Sequence, residues 1–491
     1  MSVQIVTNPK HGTDVIIAGA GPAGSAAAIH LARLGIHVVL LEKKSFPRDK
    51  VCGDFVGPVG LVELKKLGIT SHPEYKKTSI IRQASVYLNG EKLINEDFPD
   101  IDGIPAHGRV IPRKQLDQWL FEEAQNAGVD TFENVEVTGF QADADSVSVD
   151  VVYEKKKATL KAGLLIGADG SRSIIARCLG AFNAKSSRDR IVAIRSYFSG
   201  ADPIQGQAEL FFSDHTFPGY YWFFPAGSRF ANVGVGMMNN ILPDRPHNLR
   251  KLLLTVIRED TVLRERLRGA EPVGPIRAWP LATYNHRTPV VGHRVILVGD
   301  AAGLINPING EGIQTALLSA RWAAEVAAPC IASGKLDQAS LNAYKRKVND
   351  ELRCDMALSR IIVQLIRNQN LNPIWFTALR LITTAAKRDP LYSEIAGGIL
   401  AGMVPAQRAI GKRMIGGTAV QAARSFAFRA IPKTIMKPSL IGSLGIEGAS
   451  MGFKTMYDGV RHPRQSLQWG SEVLAGVVEL GAQVAKTTLK S

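Results

Sequence analysis

Cysteine is scarce and scattered in this chain of 491 residues: only Cys52, Cys178, Cys330 and Cys354 are present, at spacings that match neither a zinc site nor a disulfide framework. Free, separated thiols suit a reducing compartment. The opening residues show no basic stretch followed by an apolar one, so the cytoplasm is the expected location. No run of about 18 apolar residues exists, and a membrane-spanning helix is not expected. Aromatic residues make up 7% of the chain and are not interleaved with the basic ones. With no recognisable nucleic-acid motif, that argues against DNA or RNA as a partner. No metal-ligand spacing and no internal repeat is found. What remains is a chain with 45% hydrophobic residues, enough for two or three globular domains. Its net charge is +15, and residues 401–491 hold twelve Lys/Arg against four Asp/Glu. Apolar stretches, Gly397–Val404 and Val473–Leu480, lie in or beside that basic region. The combination suits docking on an anionic membrane surface; a plain solvated basic face is the alternative.

Glycine is placed rather than sprinkled. The string Gly19-Ala-Gly-Pro-Ala-Gly24 follows the apolar run Val15–Ala18 and precedes an alanine-rich stretch of helical length. A buried parallel strand, a tight turn at Gly19, close backbone approach at Gly21 and close helix packing at Gly24 together make a pyrophosphate cradle. Ala23 belongs to the same turn. The helix N-terminus adds its amides and dipole. A second apolar strand, His37–Leu41, ends in Glu42, where an acid is placed to bind a ribose hydroxyl. Far along the chain, Val298-Gly-Asp-Ala-Ala-Gly303 puts Asp300 at another strand end before a glycine-rich turn. Two such ends describe a protein wrapped around both halves of a dinucleotide, which is a flavoprotein signature.

The pieces are spread over some 330 residues with strand-rich stretches between them. The expected fold class is therefore α/β: a discontinuous Rossmann-like dinucleotide-binding domain, an inserted antiparallel-sheet substrate domain and a helical C-terminal region. The expected segments are 1–80, 105–180 and 286–330 for the cofactor domain, 81–104 and 181–285 for the sheet domain, and 331–491 for the helical region. Asn89-Gly90 is a hairpin signal. Leu116, Trp119, Leu120 and Ala124 share one face of a predicted helix over 113–127.

Gly19–Gly24, Gly167-Ala-Asp-Gly170 followed by Ser173 and Arg177, and Gly299-Asp-Ala-Ala-Gly303 resemble the flavin-dependent oxidoreductases of the para-hydroxybenzoate hydroxylase class. Within that class the chain is similar to the geranylgeranyl reductase family. Lys50-Val-Cys-Gly-Asp54 resembles that family's Cys-Gly-Asp turn, Tyr220-Tyr-Trp-Phe-Phe-Pro225 its Tyr-x-Trp-x-Phe-Pro motif, and Gly299–Gly312 its long flavin loop. The resemblance covers about residues 13–350. It implies FAD, a polyprenyl lipid or quinone as substrate, reduction of isolated C=C bonds, and an external electron donor such as NADPH or ferredoxin. By position it assigns the adenosine half to Gly19, Gly21, Ala23, Gly24 and Glu42, with Gly53 and Arg113 reaching the cofactor. Val137 offers backbone to the adenine and Asp300 holds the linker region. Gly310, Gly312 and Ile313 open a long helix towards the flavin ring, where a helix dipole favours an anionic reduced ring.

An isolated alkene is unpolarised, so hydride delivery needs an acid to protonate one carbon while cation character develops on the other. Cys52 is the candidate donor, or else a small side chain lining the cavity. Tyr220, Trp222 and Phe224 alternate on one strand and share a side, as an apolar wall or as sheet core; Tyr221 points the other way. The competing reading is a flavin monooxygenase or halogenase acting on an aromatic substrate, since fold does not fix function. Against it, the chain lacks the first Trp of the halogenase Gly-Trp-x-Trp-x-Ile-Pro motif. A non-catalytic FAD-binding scaffold is a third reading.

Overall fold

Four apolar residues, Val15–Ala18, form the strand around which the nucleotide-binding sheet is ordered. In the computed structural model, which describes residues 13–181, 190–238, 241, 248–400, 402–404 and 463–488, this strand is fully buried. It pairs in parallel with Val38–Leu41 on one side and Leu164–Gly167 on the other. Leu164–Gly167 in turn pairs in parallel with Val295–Leu297, and Val38–Leu41 with Asp130–Phe132. A short antiparallel strand, Val291–Gly292, completes the six. The unbroken Val/Ile/Leu composition of these strands is that of a sheet covered on both faces. Helix Pro22–Ala32 starts with Pro at its first turn, is buried along nearly its whole length, and packs against helices Ile313–Ala332 and Arg113–Asn126. The strands come from three separated stretches, as the predicted discontinuous α/β fold requires. A three-stranded antiparallel meander, Val135–Ala142, Val147–Tyr153 and Lys156–Ala162, belongs to the same unit.

Chain segments up to Ile80, Gly108–Ala193 and Arg277–Arg353 make up this first unit; Ile81–His107, Ile194–Ile276 and the chain from Cys354 onward make up a second. The second is built on a seven-stranded sheet ordered Glu271–Ala282, Arg190–Ser199, Phe230–Met238, Tyr220–Gly227, Gln207–Phe212, Gln83–Leu88, Glu91–Asp97. The hairpin expected at Asn89-Gly90 is present, and both residues have positive φ (50° and 79°), as a two-residue type I′ turn demands. One face of the sheet carries Tyr87, Phe211, Tyr221, Phe223, Val233 and Val235, covered by helices Leu249–Glu259 and Thr261–Arg266. Asp260 separates those two helices and caps the second through Leu263 N–H. Helices Gln338–Ile366, Asn372–Ala386, Pro390–Leu400 and Pro463–Thr488 form the helical C-terminal part. Much of the basic segment singled out in the sequence, residues 405–462, lies outside the described residues, as do residues 1–12.

Candidate active site

The glycine turn has the shape its sequence predicts. Gly19 has φ +99°, and a Cβ there would sit 2.6 Å from the Ala168 carbonyl oxygen; a Cβ on Gly24 would overlap the Gly19 carbonyl oxygen. Both positions exclude any larger residue. Gly21 differs: its missing Cβ faces two guanidinium groups, Arg48 Nη2 at 3.8 Å and Arg113 Nη2 at 3.9 Å. Gly21 also precedes the first turn of helix Pro22–Ala32, whose N-terminal amides receive no side-chain cap. Open amides, a helix N-terminus and two cations around a residue without a side chain form an anion cradle of pyrophosphate character. Beside it, Asp169 caps helix Ile174–Cys178 through Oδ2, while its buried Oδ1 has no partner among the described residues.

Glu42 stands at the end of strand Val38–Leu41. Its Oε2 accepts from Ala20 N–H at 3.1 Å and from Arg48 Nη2 at 3.0 Å, and Oε1 accepts from Lys44 N–H. The carboxylate therefore ties the glycine turn to Arg48. Arg48 reaches on to Asp117 (Nη1 to Oδ2, 2.8 Å), and Asp117 holds Arg113 in a two-point grip at 2.6 and 2.7 Å. Burial alone would raise the Asp117 carboxyl; Arg113 and Arg48 overcome it and hold the group below the usual carboxylate range. Val137 stands two residues beyond Val135, whose N–H donates to the Glu42 carbonyl, so its backbone runs beside this acid.

Segment 48–54 joins this network to the thiol. Lys50 Nζ lies 3.3 Å from Asp300 Oδ2, which also accepts from Ser171 Oγ at 2.9 Å. Asp54 is fully buried with φ +64°; its Oδ1 accepts from Arg113 N–H and its own N–H donates to Cys52 Sγ at 3.2 Å. Desolvation pushes the Cys52 thiol above its usual pKa, and the Arg113 charge draws it back only in part. The group is a protonated thiol at neutral pH. Gly310 has φ +70°, and Gly312 opens helix Ile313–Ala332 without a side-chain cap. A Cβ on Gly312 would lie 3.4 Å from Asp300 Oδ1, so the helix start and the acid are neighbours, with buried Ile313 next in line. The first unit thus brings together Gly19, Gly21, Ala23, Gly24, Glu42, Arg113 and, through segment 50–54, Cys52, Gly53 and Asp300. Sequence reasoning assigned no role to Arg48, Lys50, Asp117 or Ser171, although Lys50 opens the Lys50–Asp54 turn. The one available signal was the i, i+4 spacing of Arg113 and Asp117 on a helix face.

In the second unit, Tyr220, Trp222 and Phe224 do share a side: ring centroids are 6.1 Å apart for the first pair and 6.2 Å for the second. The row continues through Phe212 and Phe217 to Phe376 of helix Asn372–Ala386. Tyr221 lies on the opposite face, stacked on Phe211, with its hydroxyl donating to Asp260 at 2.6 Å.

Residues 12–351 match the FAD binding domain family. A menaquinone reductase of Mycolicibacterium smegmatis is 34% identical over 322 residues, 64% of this chain and 76% of that protein. The chain belongs to the geranylgeranyl reductase family of FAD-dependent oxidoreductases. A second relative, digeranylgeranylglycerophospholipid reductase 2 of Methanopyrus kandleri, is 30% identical over 343 residues, 69% of this reductase and 82% of the relative. A solved geranylgeranyl bacteriochlorophyll reductase-like protein of Thermoplasma acidophilum superposes with a TM-score of 0.66 at 20% identity, covering 83% of this chain and 96% of that one. The flavin-dependent halogenase CmlS gives 0.63 at 23% identity, covering 77% and 72%. At that identity the two structures share the fold. The cofactor is FAD, and the cradle at Gly21 has the cations and open amides that its pyrophosphate calls for.

Proposed function

We propose that this FAD-dependent reductase saturates isolated C=C bonds of a polyprenyl chain carried by a lipid or quinone. The observation that carries the reading is the aromatic row Phe376–Phe217–Phe212–Tyr220–Trp222–Phe224, an extended apolar wall suited to a long hydrocarbon and unsuited to a small polar substrate. The names of the relatives support the same substrate class. FAD, when bound and reduced, supplies the hydride. Gly19, Gly21, Ala23, Gly24, Glu42, Gly53, Arg113, Val137, Asp300, Gly310, Gly312 and Ile313 hold the cofactor, joined by Arg48, Lys50 and Ser171. The Cys52 thiol, kept protonated by burial, gives a proton to one alkene carbon. Tyr220 and Trp222, in the aromatic row of the second unit, contact the polyprenyl chain. Electrons come from an external donor such as NADPH or a ferredoxin, and the enzyme works peripherally at the cytoplasmic membrane.

The test is anaerobic incubation of the reduced holoenzyme with menaquinones and prenylated lipids, followed by mass spectrometry. Each reduced bond adds two hydrogens, and in deuterated water one of them is deuterium. A product that forms only with oxygen would replace this reading by the monooxygenase or halogenase one. Reduction without solvent label would remove the proton donor.

A further inference from the structure

Helix Pro463–Thr488 packs through a mixed face that includes Trp469, Glu472, Val473 and Gly476. Its Trp469 indole N–H donates to the Gln364 carbonyl oxygen at 2.6 Å, and Glu472 pairs with buried Arg367 at 3.1 Å. Gly476 lies close against Ile361; a Cβ there would sit 2.9 Å from its side chain. The outward side is apolar: Leu467, Leu474, Val477 and Val478 are 75, 65, 52 and 65% exposed. Gly470, Ser471 and Ala475 share it, and these described residues carry no charge. At the helical period Leu467, Leu474 and Val478 form one stripe, and Glu472 falls at a register position away from it. A helix normally buries such a stripe, because each large apolar side chain gains about 1.5–3 kcal/mol on burial.

Charge decides what covers it. Arg461 and Arg464 precede the stripe, Lys486 and Lys490 follow it, and residues 401–491 as a whole are strongly basic. An uncharged apolar stripe in a strongly basic chain matches an anionic bilayer surface, where apolar side chains enter the acyl boundary and cations meet headgroups. A second copy fits poorly. Two chains of net charge +15 repel. The stripe is about 16 Å long, too short for the roughly 800 Å² per partner of a stable interface.

We propose that the Leu467–Leu474–Val477–Val478 face docks this enzyme on an anionic lipid bilayer. The choice of a bilayer rests in part on the lipid-substrate reading; the geometry of the face does not. The experiment is flotation of the purified holoenzyme with phosphatidylcholine vesicles containing about 30% phosphatidylglycerol, against pure phosphatidylcholine vesicles. The double variant Leu474→Glu/Val478→Glu should partition about tenfold less, and Leu474→Trp more, with bound FAD unchanged. Equal flotation of wild type and both variants, or none by wild type, overturns the proposal. So does a change of oligomeric state in the double variant without a change in flotation, which would assign the face to a second copy. Flotation needs no turnover: a protein that floats as expected but reduces no prenyl chain keeps the docking face and loses the substrate reading.

Discussion

Trp222 donates its indole N–H to Asn232 Oδ1 across 3.0 Å, and the side chains that meet there are almost fully withdrawn from water. The indole ring then lies over Gly234, where a Cβ would overlap it. One hydrogen bond and one missing side chain fix the ring in the middle of the aromatic row. Replacing Asn232 by Leu leaves a buried donor unmet and should cost about 1–3 kcal/mol of stability. KM for the polyprenyl substrate should rise more than kcat falls. Gly234→Ala should act in the same direction by pushing the ring aside. Thermal melts and steady-state kinetics check both.

The glycine turn separates steric need from ligand need. Gly24→Ala has nowhere to put its methyl and should give protein that is destabilised and colourless. Gly21→Ala, with nothing nearer than 3.8 Å, should fold normally. Its methyl intrudes before the two guanidiniums, so FAD affinity should fall by about tenfold or more. Apo-protein melting temperature and flavin titration distinguish the two variants.

Asp117 is the acid that two arginines share. Asp117→Asn leaves the buried Arg113 guanidinium without its carboxylate partner and should cost about 3–5 kcal/mol together with FAD retention. The native carboxyl is held below its ordinary value of 3.8. Its stabilisation is therefore complete above that pH and is lost as pH falls below it towards the lowered native value. Acid titration of the fold should show this loss in wild type and a flatter profile in the variant.

Cys52 gives the opposite window. Its native thiol keeps its proton beyond the ordinary 9.0. Activity should hold through neutral pH and fall on the alkaline side as that proton leaves. The stability that accompanies the raised pKa is full below 9.0 and declines above it. Cys52→Ser should retain FAD, turn over about 10²-fold more slowly and lose the alkaline limb.

These outcomes depend on contacts of different legibility. The turn Gly19–Gly24, the strands ending in Glu42 and Asp300, and the alternation of Tyr220, Tyr221 and Trp222 could be read from the chain, because each follows from local backbone rules and a period of two. The grip of Asp117 on Arg48 and the reach of Lys50 to Asp300 could not, since the partners are 69 and 250 residues apart and only the sheet order brings them together. The packing of helix Pro463–Thr488 was equally hidden: its stripe is visible in sequence, but which side meets helix Gln338–Ile366 depends on Trp469 and Glu472 finding Gln364 and Arg367.

The central strand also sets a timetable for biosynthesis. Val15–Ala18 emerges early, yet one of its edges waits for Leu164–Gly167, which in turn waits for Val295–Leu297. At about 5–20 residues per second, the ribosome takes roughly 15–60 s to deliver the last of these. Throughout that interval the nascent chain carries an uncovered, wholly apolar strand edge, which makes it a natural client for chaperones that shield such edges.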